Sequence, residues 1–153
     1  MALRLTGRLA RRTAAPGDRC PIDRTLRVVG NRSAFLLLRE VFYGTTRFDD
    51  LVRLTGLSEA VAAKRLKELL DHGLLTRTPY RVEGQRTRHE YVLTDAGRDL
   101  LPVLLALAQW GREHVAPRTG PVPHHEDCGA EVSVTFCCAQ GHHVSQDDLY
   151  IHA

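Results

Sequence analysis

The spacing of apolar residues changes at Gly73, and this change restricts the fold more than any other feature of the sequence. Before Gly73, apolar side chains recur every three or four residues, as they do along one face of an α-helix. After it, residues 74–80 and 89–94 have the composition and alternation of two β-strands, joined by a loop around Gly84. We therefore predict a group of helices followed by one hairpin.

Capping residues and glycines delimit the predicted helices. Pro21 begins a helix of about nine residues, and Ser33 is expected to cap the next one. A short third helix ends at Gly56, and Ser58 caps another that ends at Gly73. The tight turn between the last two helices, followed by the hairpin, is the element order of a winged helix-turn-helix domain.

A long helix is predicted after the hairpin, from Thr94 or Asp95 to about Val115. Its apolar residues lie almost all round the helix, which leaves more apolar surface than one small domain covers. A second subunit is expected to cover the remainder, so that the chain forms a homodimer. The expected interface residues are Leu101, Leu104, Leu105, Leu107 and Trp110.

The length of 153 residues suits one ordinary domain with additional segments. Residues 1–19 are rich in arginine, with Asp18 as their one acidic residue, and are expected to form a flexible basic arm. Residues 20–116 are assigned to a winged helix-turn-helix domain for DNA binding and dimerisation, and residues 117–153 to a linker and a Cys/His-rich extension. The expected fold class is α+β, mostly α.

Charge, hydropathy and cysteine usage exclude several classes of protein. The formal charge of +3 is mild, and no apolar run approaches the roughly 18 residues needed to cross a bilayer. Four cysteines without a secretory signal favour a reducing cytoplasm, with the cysteines as thiols or ligands. No nucleophile with a base, carboxylate pair or phosphate loop is recognisable, so we expect a binding protein and no enzyme.

The helix that begins at Ser58 is the expected recognition helix, since one helix of such a unit lies in the DNA major groove and reads base edges from its N-terminal residues. Arginines around the Gly84 turn would neutralise phosphates. Arginines on a hairpin tip are commonly solvated surface, and their position after a helix-turn-helix is what favours DNA. The expected DNA-binding residues are Ser58, Glu59, Ala60, Ala63, Lys64, Arg65, Lys67, Arg81, Arg86 and Arg88.

Several short segments match one pattern together: residues 20–23, 26–30, 47–51, 56–57, 65–69, 73–74, 90–94 and 101–102, with Arg77, Gly97 and Trp110. In this combination the chain resembles the HxlR family of bacterial transcriptional regulators, winged-helix relatives of the MarR group, over roughly residues 20–115. The resemblance implies a cytoplasmic homodimer that binds operator DNA, most often as a repressor, and that pairs through terminal helices. The chain departs from the family pattern at residues 31–33, where Asn-Arg-Ser replaces Gly-Lys-Trp, and in the wing at residues 83–88.

Cys20 is a candidate sensor of oxidants or electrophiles. It follows Arg19 and precedes Pro21 at a helix start, where the neighbouring cation and the helix dipole both favour a thiolate. Some members of the resembled family use a cysteine at this place for such sensing. The alternative is a partly buried thiol that packs as a small apolar side chain.

The C-terminal extension contains two Cys/His spacings that suit a zinc site. His125-x2-Cys128 and Cys138-x3-His142 would together supply the four ligands of a tetrahedral structural zinc. The alternative is a small strand pair with histidines at its turns, in a protein that requires no cofactor.

The leading prediction is therefore a transcriptional regulator that binds double-stranded operator DNA as a homodimer and responds to an oxidant or a small-molecule effector, with no role at a membrane. Two alternatives stay open: a winged-helix protein-interaction module and a thiol-based redox protein. The basic residues of the recognition helix and hairpin favour DNA, because phosphate contacts require them.

Overall fold

The computed structural model describes residues 3–11, 13, 17–80 and 88–152. Two compact units are present, one formed by Cys20–Leu107 and the other by the N-terminal segment up to Arg19 together with the chain from Ala108 onward. In chain order the elements are β1 (Arg4–Thr6), α1 (Pro21–Val29), α2 (Arg32–Phe42), α3 (Phe48–Thr55), α4 (Glu59–Asp71), β2 (Leu75–Tyr80), β3 (Arg88–Leu93), α5 (Asp95–Arg98), α6 (Leu101–His114), β4 (Phe136–Cys137), β5 (His143–Val144) and β6 (Tyr150–His152).

The order of helices and hairpin confirms the predicted winged helix-turn-helix architecture, and the caps explain where the helices begin. Ser58 caps α4 as predicted, because its hydroxyl accepts the N–H of Val61. The prediction that Ser33 caps α2 is wrong, since Ser33 lies inside that helix. Asn31 is the cap, and its side-chain oxygen accepts the N–H of Ala34 at 2.8 Å.

The hydrophobic core of the first unit lies where α2, α3 and α4 pack together. The hairpin closes this core with Leu75 and Tyr91, both of which are buried. Burying a large aliphatic side chain contributes about 1.5–3 kcal/mol, so a set of this size is the main stabilising term for the unit. Its largest fully buried side chains are Leu37, Leu38, Leu51, Leu66, Leu69 and Val29.

The hairpin is attached to the helical layer through its second strand. β2 and β3 pair antiparallel, and the backbone N–H of Tyr91 in β3 donates to the carbonyl of Thr46 at 2.8 Å. Arg47 and Glu90 form an isolated antiparallel bridge at the same place. The residues just before α3 therefore act as a short third strand, which holds the hairpin against α3 and α4.

The predicted single helix from Thr94 to about Val115 is interrupted. Thr94 does cap a helix, since its hydroxyl accepts the N–H of Gly97, but α5 ends at Arg98 and α6 begins at Leu101. Pro102 accounts for the break, because its ring clashes with the carbonyl four residues earlier and suits only the first turn of a helix.

The second unit corrects the expectation of a flexible N-terminal arm at residues 4–6. These residues form β1, which pairs in parallel with β6 and brings Arg4 beside Tyr150. The Arg4 guanidinium carbon lies 5.2 Å from the centroid of the Tyr150 ring, and the Thr6 hydroxyl contacts the His152 ring at 2.9 Å. Backbone pairing thus holds this part of the arginine-rich segment.

The chain beyond Ala116 has little core of its own. β4 and β5 form a two-stranded antiparallel hairpin, and His124 bridges to Glu131. No residue is buried between Pro117 and His152, the last position that the structure describes. Across the described parts of the chain, none of the helices combines the length and the apolar character needed to cross a membrane.

Candidate nucleic-acid interface

The first half of α4 presents an exposed surface opposite its buried face. Ala62, Leu66 and Leu69 are buried, which rotates the N-terminal residues of the helix outward. These exposed residues include hydrogen-bonding groups on Ser58 and Lys64 and methyl groups that suit thymine contacts. The exposed members of the predicted set in this helix half are Ser58, Glu59, Ala60, Ala63 and Lys64.

In the second half of α4, basic side chains form ion pairs with acidic side chains of the same helix. Arg65 lies 2.5 Å from the Glu68 carboxylate, and Lys67 lies 2.5 Å from that of Asp71. Such pairs stabilise a helix by only a few tenths of a kcal/mol, about 0.2–0.5. They nevertheless leave less net positive charge for phosphates than the sequence suggested, so the free cation of the helix is Lys64 among its described lysines and arginines.

A cleft of about 390 Å³ opens between α4, the start of α3 and the hairpin. Ala63 of α4 forms part of its wall, and Arg47, Arg77, Arg88 and His89 line it. Three arginines and one histidine, from the residue before α3 and from both strands of the hairpin, therefore converge beside the exposed surface of α4. Only the tertiary structure brings them together, since α3, α4 and β2 separate Arg47 from Arg88 along the chain.

Aromatic rings hold two of these arginines in place. The Arg47 guanidinium carbon lies 5.0 Å from the Tyr80 ring centroid, and that of Arg77 lies 5.8 Å from the Tyr91 ring centroid. Stacking on a ring face orients a guanidinium while its N–H groups stay free to donate. Arg47 additionally approaches the Glu90 carboxylate at 3.9 Å.

The predicted wing is described only in part. Arg88 opens β3, is exposed, and pairs with Asp49 of α3 at 3.3 Å. Arg81 and Arg86 lie outside the described residues. Arg47 was not predicted as a site residue. Its position directly before α3 is visible in the sequence, whereas its pairing with Glu90 of β3 is visible only in the structure.

Cys20 occupies the N-cap of α1 and is partly buried. Its sulfur accepts the N–H of Asp23 at 3.5 Å. This position is compatible with both predictions for Cys20. Its partial burial suits a thiol that packs as a small apolar side chain, and its place at the positive end of the helix dipole suits a sensor. Its role as a sensor stays a prediction.

The apolar residues predicted for the dimer interface differ in exposure. On α6, Leu101, Leu107 and Trp110 are exposed, with Trp110 at 59%, whereas Leu104 and Leu105 are partly buried. The sequence interpretation missed a second apolar surface on α1, where Ile22 and Leu26 are 69% and 56% exposed. The signal for it is the three- and four-residue spacing of the apolar residues along α1.

Two histidine–cysteine pairs of the C-terminal extension have side chains in contact. His125 Nδ1 lies 3.2 Å from Cys128 Sγ, and Cys137 Sγ lies 3.6 Å from His143 Nδ1. The predicted ligands Cys138 and His142 meet through their backbones, since the Cys138 N–H donates to the His142 carbonyl. Within the described chain, no three His, Cys, Asp or Glu side chains are grouped closely enough to hold one metal ion.

The four-ligand zinc site thus stays a prediction without a preformed geometry. Backbone amides, chiefly that of Gln140 and then that of His142, hold the pKa of the exposed Cys138 thiol below its ordinary value. Metal analysis of the purified chain, with a Cys128→Ser variant as control, tests the zinc prediction directly.

Known proteins resemble this chain in sequence and in fold. The profile of the HxlR-like helix-turn-helix family matches residues 28–119. The HTH-type transcriptional regulator Rv3095 of Mycobacterium tuberculosis is 39% identical over 119 residues, which span 76% of this chain and 74% of that protein. The HTH-type transcriptional regulator sll1512 of Synechocystis is 36% identical over 98 residues, 63% of this chain and 71% of that protein.

Solved structures of other proteins have a similar fold. The crystal structure of PA1607 matches with a TM-score of 0.76 and 32% identity, covering 91% of this chain and 98% of that one. The redox regulator HypR in its reduced form matches with a TM-score of 0.56 and 28% identity, covering 61% and 92%.

Proposed function

Because the chain belongs to the HxlR-like family of helix-turn-helix transcriptional regulators, we propose that it binds operator DNA as a homodimer and represses transcription. In this proposal α4 enters the major groove with Ser58, Glu59, Ala60, Ala63 and Lys64 toward the base edges. The hairpin lies along the backbone, where Arg88 and the wing residues Arg81 and Arg86 meet phosphates.

One observation carries the proposal: the exposed half of α4 stands beside a cleft lined by Arg47, Arg77, Arg88 and His89. A surface that reads bases needs neighbouring cations to bind the phosphates on either side of the groove. The arrangement therefore favours DNA over the alternative of a protein partner.

Dimerisation is supported by the unpaired apolar side chains of α1 and α6. Large residues such as Ile22 and Leu107 are more than half exposed, and complete burial of a side chain of this kind contributes up to about 1.5–3 kcal/mol. A second copy of the chain would present the same residues and bury them in an isologous interface. Two recognition helices would then meet two half-sites of one operator.

We further propose that an oxidant or electrophile alters DNA binding through Cys20. The similar protein HypR is a redox regulator that has been solved in reduced and oxidised forms. Oxidation of Cys20 to a sulfenic acid would change the group that accepts the Asp23 N–H and so disturb the start of α1. Because α1 also carries exposed apolar residues, such a change would reach the proposed dimer interface.

The test is selection of bound fragments from a genomic library, followed by a salt titration of the binding. We expect the purified chain to retain specific fragments and its affinity to fall steeply with salt, since phosphate contacts release counterions. Retention of no DNA even at low salt would contradict the proposal and favour a protein-interaction module. Repeating the selection after oxidant treatment tests the effector in the same experiment.

A further inference from the structure

The cleft between α4 and the hairpin contains an acidic side chain as well as its arginines. Asp49, in the first turn of α3, is the acidic residue within the described lining of this cleft. Its Oδ2 lies 3.3 Å from Nη1 of Arg88, which is 39 positions later in the chain. The aspartate side chain is 77% exposed and that of Arg88 57%, so the pair stands at the open side of the cleft.

Among the described arginines of the cleft, Arg88 makes the closest contact with a carboxylate. Arg77 is oriented by the ring of Tyr91, which leaves its N–H groups available, and Arg47 stacks on Tyr80 with the Glu90 carboxylate farther away, at 3.9 Å. A phosphate that approaches Arg88 instead meets a guanidinium that already has a carboxylate partner. Carboxylate and phosphate oxygens compete for the same donors, because both bind the guanidinium fork in similar geometry.

We propose that Asp49 is an intramolecular competitor of DNA phosphate for Arg88 and thereby sets the affinity and salt dependence of DNA binding. This inference rests on the proposed function. In the free protein Asp49 occupies Arg88 and lowers the attraction of the surface for any duplex. On an operator, a phosphate replaces the carboxylate, which is feasible because exposed ion pairs are weak.

Arg88 and the base contacts of α4 contribute differently to DNA binding. Contacts of α4 with base edges favour only the correct sequence, whereas Arg88 contributes equally to every duplex. A carboxylate that weakens the Arg88 contribution therefore lowers the affinity for the operator and for random DNA by the same factor, and leaves the discrimination between them to the base contacts of α4. Asp49 would act as a positioning residue, through Arg88, and not as a DNA contact itself.

Asp50 provides a matched control. It follows Asp49 in the first turn of α3 and so has the same relation to the helix dipole. Its carboxylate pairs with Arg53 at 2.7 Å and lies outside the described lining of the cleft. Replacing either aspartate with asparagine removes one negative charge from the same helix turn, and only one replacement releases Arg88.

The experiment measures binding of the full chain and its Asp49→Asn, Asp50→Asn, Arg88→Ala and D49N/R88A variants. The probes are a genomic fragment selected with the unmodified chain and a random duplex of equal length, followed by fluorescence anisotropy across a salt series. We expect D49N to bind both duplexes about 3- to 10-fold more tightly at low salt, with a steeper salt dependence. D50N should change both affinities by less than about twofold.

The double variant separates competition from simple repulsion. If Asp49 acts through Arg88, D49N has no effect in the R88A background. Equal tightening by D49N with and without Arg88, or equal affinities of D49N and D50N, would overturn the inference while leaving the proposed function standing. Failure of the unmodified chain and of all variants to bind any duplex would overturn both. Thermal unfolding followed by circular dichroism verifies that each variant is folded.

Discussion

Gly97 lies so close to the Leu74 carbonyl oxygen that a Cβ built on the glycine would stand 2.1 Å from it. Gly97 is buried in α5, and the Thr94 side chain that caps this helix donates to the carbonyl of Gly73 at 2.6 Å. The contact therefore joins α5, which follows the hairpin, to Leu74, which precedes the hairpin. It requires a residue without a side chain at position 97.

Replacing Gly97 with alanine should lower the free energy of unfolding by about 2–4 kcal/mol, because the obstacle is a backbone atom that cannot rotate away. The matched control is Gly111→Ala, since Gly111 lies in α6 and a Cβ there meets no atom within 4 Å. That change should be neutral or stabilise by up to about 1 kcal/mol. Chemical denaturation of both variants measures the difference, and equal stabilities would contradict the assigned contact.

Lys64 should contribute to sequence discrimination. Its replacement with alanine is expected to weaken binding to the selected operator by about 1–3 kcal/mol and binding to random DNA much less. Lys67→Ala is the control, because Lys67 pairs with Asp71 in the second half of α4 and should weaken both kinds of binding equally and slightly. Comparing the two affinity ratios tests this, and an equal loss on both duplexes for K64A would place Lys64 on a phosphate.

Leu107 should be required for dimerisation. It is 52% exposed in the isolated chain, so Leu107→Glu is expected to leave the fold intact while placing charges in the proposed interface. Light scattering after size exclusion should show a monomer for L107E and a dimer for Val92→Glu, the same change at an exposed site on β3. A dimer in both variants would remove Leu107 from the interface.

Cys20 should carry the response to oxidant. With Cys20→Ser, operator binding is expected to lose its sensitivity to peroxide, because serine still caps α1 but cannot be oxidised at this position. The control is Cys128→Ser, whose binding should respond as the unmodified chain does. An unchanged response in C20S, measured by anisotropy with and without peroxide, would reject the sensor role.

Cys138 should react with alkylating reagents at lower pH than an ordinary thiol. The amides of Gln140 and His142 stabilise its thiolate, so the folded-state pKa lies below the unfolded one and the reactive form appears earlier as pH rises. Mass spectrometry of iodoacetamide labelling against pH should show a lower midpoint in the folded chain than in denaturant. Coincident midpoints would contradict the amide contacts.

Much of the fold was predictable because its signals are local. The apolar period, the Ser58 cap and the glycines after the helices operate within a few residues, and the structure has the helices and hairpin in the predicted order. Errors arose where two local signals competed. Asn31 displaced Ser33 as a cap, and Pro102 interrupted a helix whose apolar residues continue on both sides.

The chain by itself thus determined the element order, the exposed half of α4 and the family resemblance that the comparisons confirmed. The tertiary structure alone decided which charges meet. Arg88 and Asp49 are 39 residues apart, and β1 pairs with β6 across almost the whole chain, so no local pattern records either contact. Packing of α3 against the hairpin creates the first contact and backbone hydrogen bonding the second, and both depend on distances that exist only after folding.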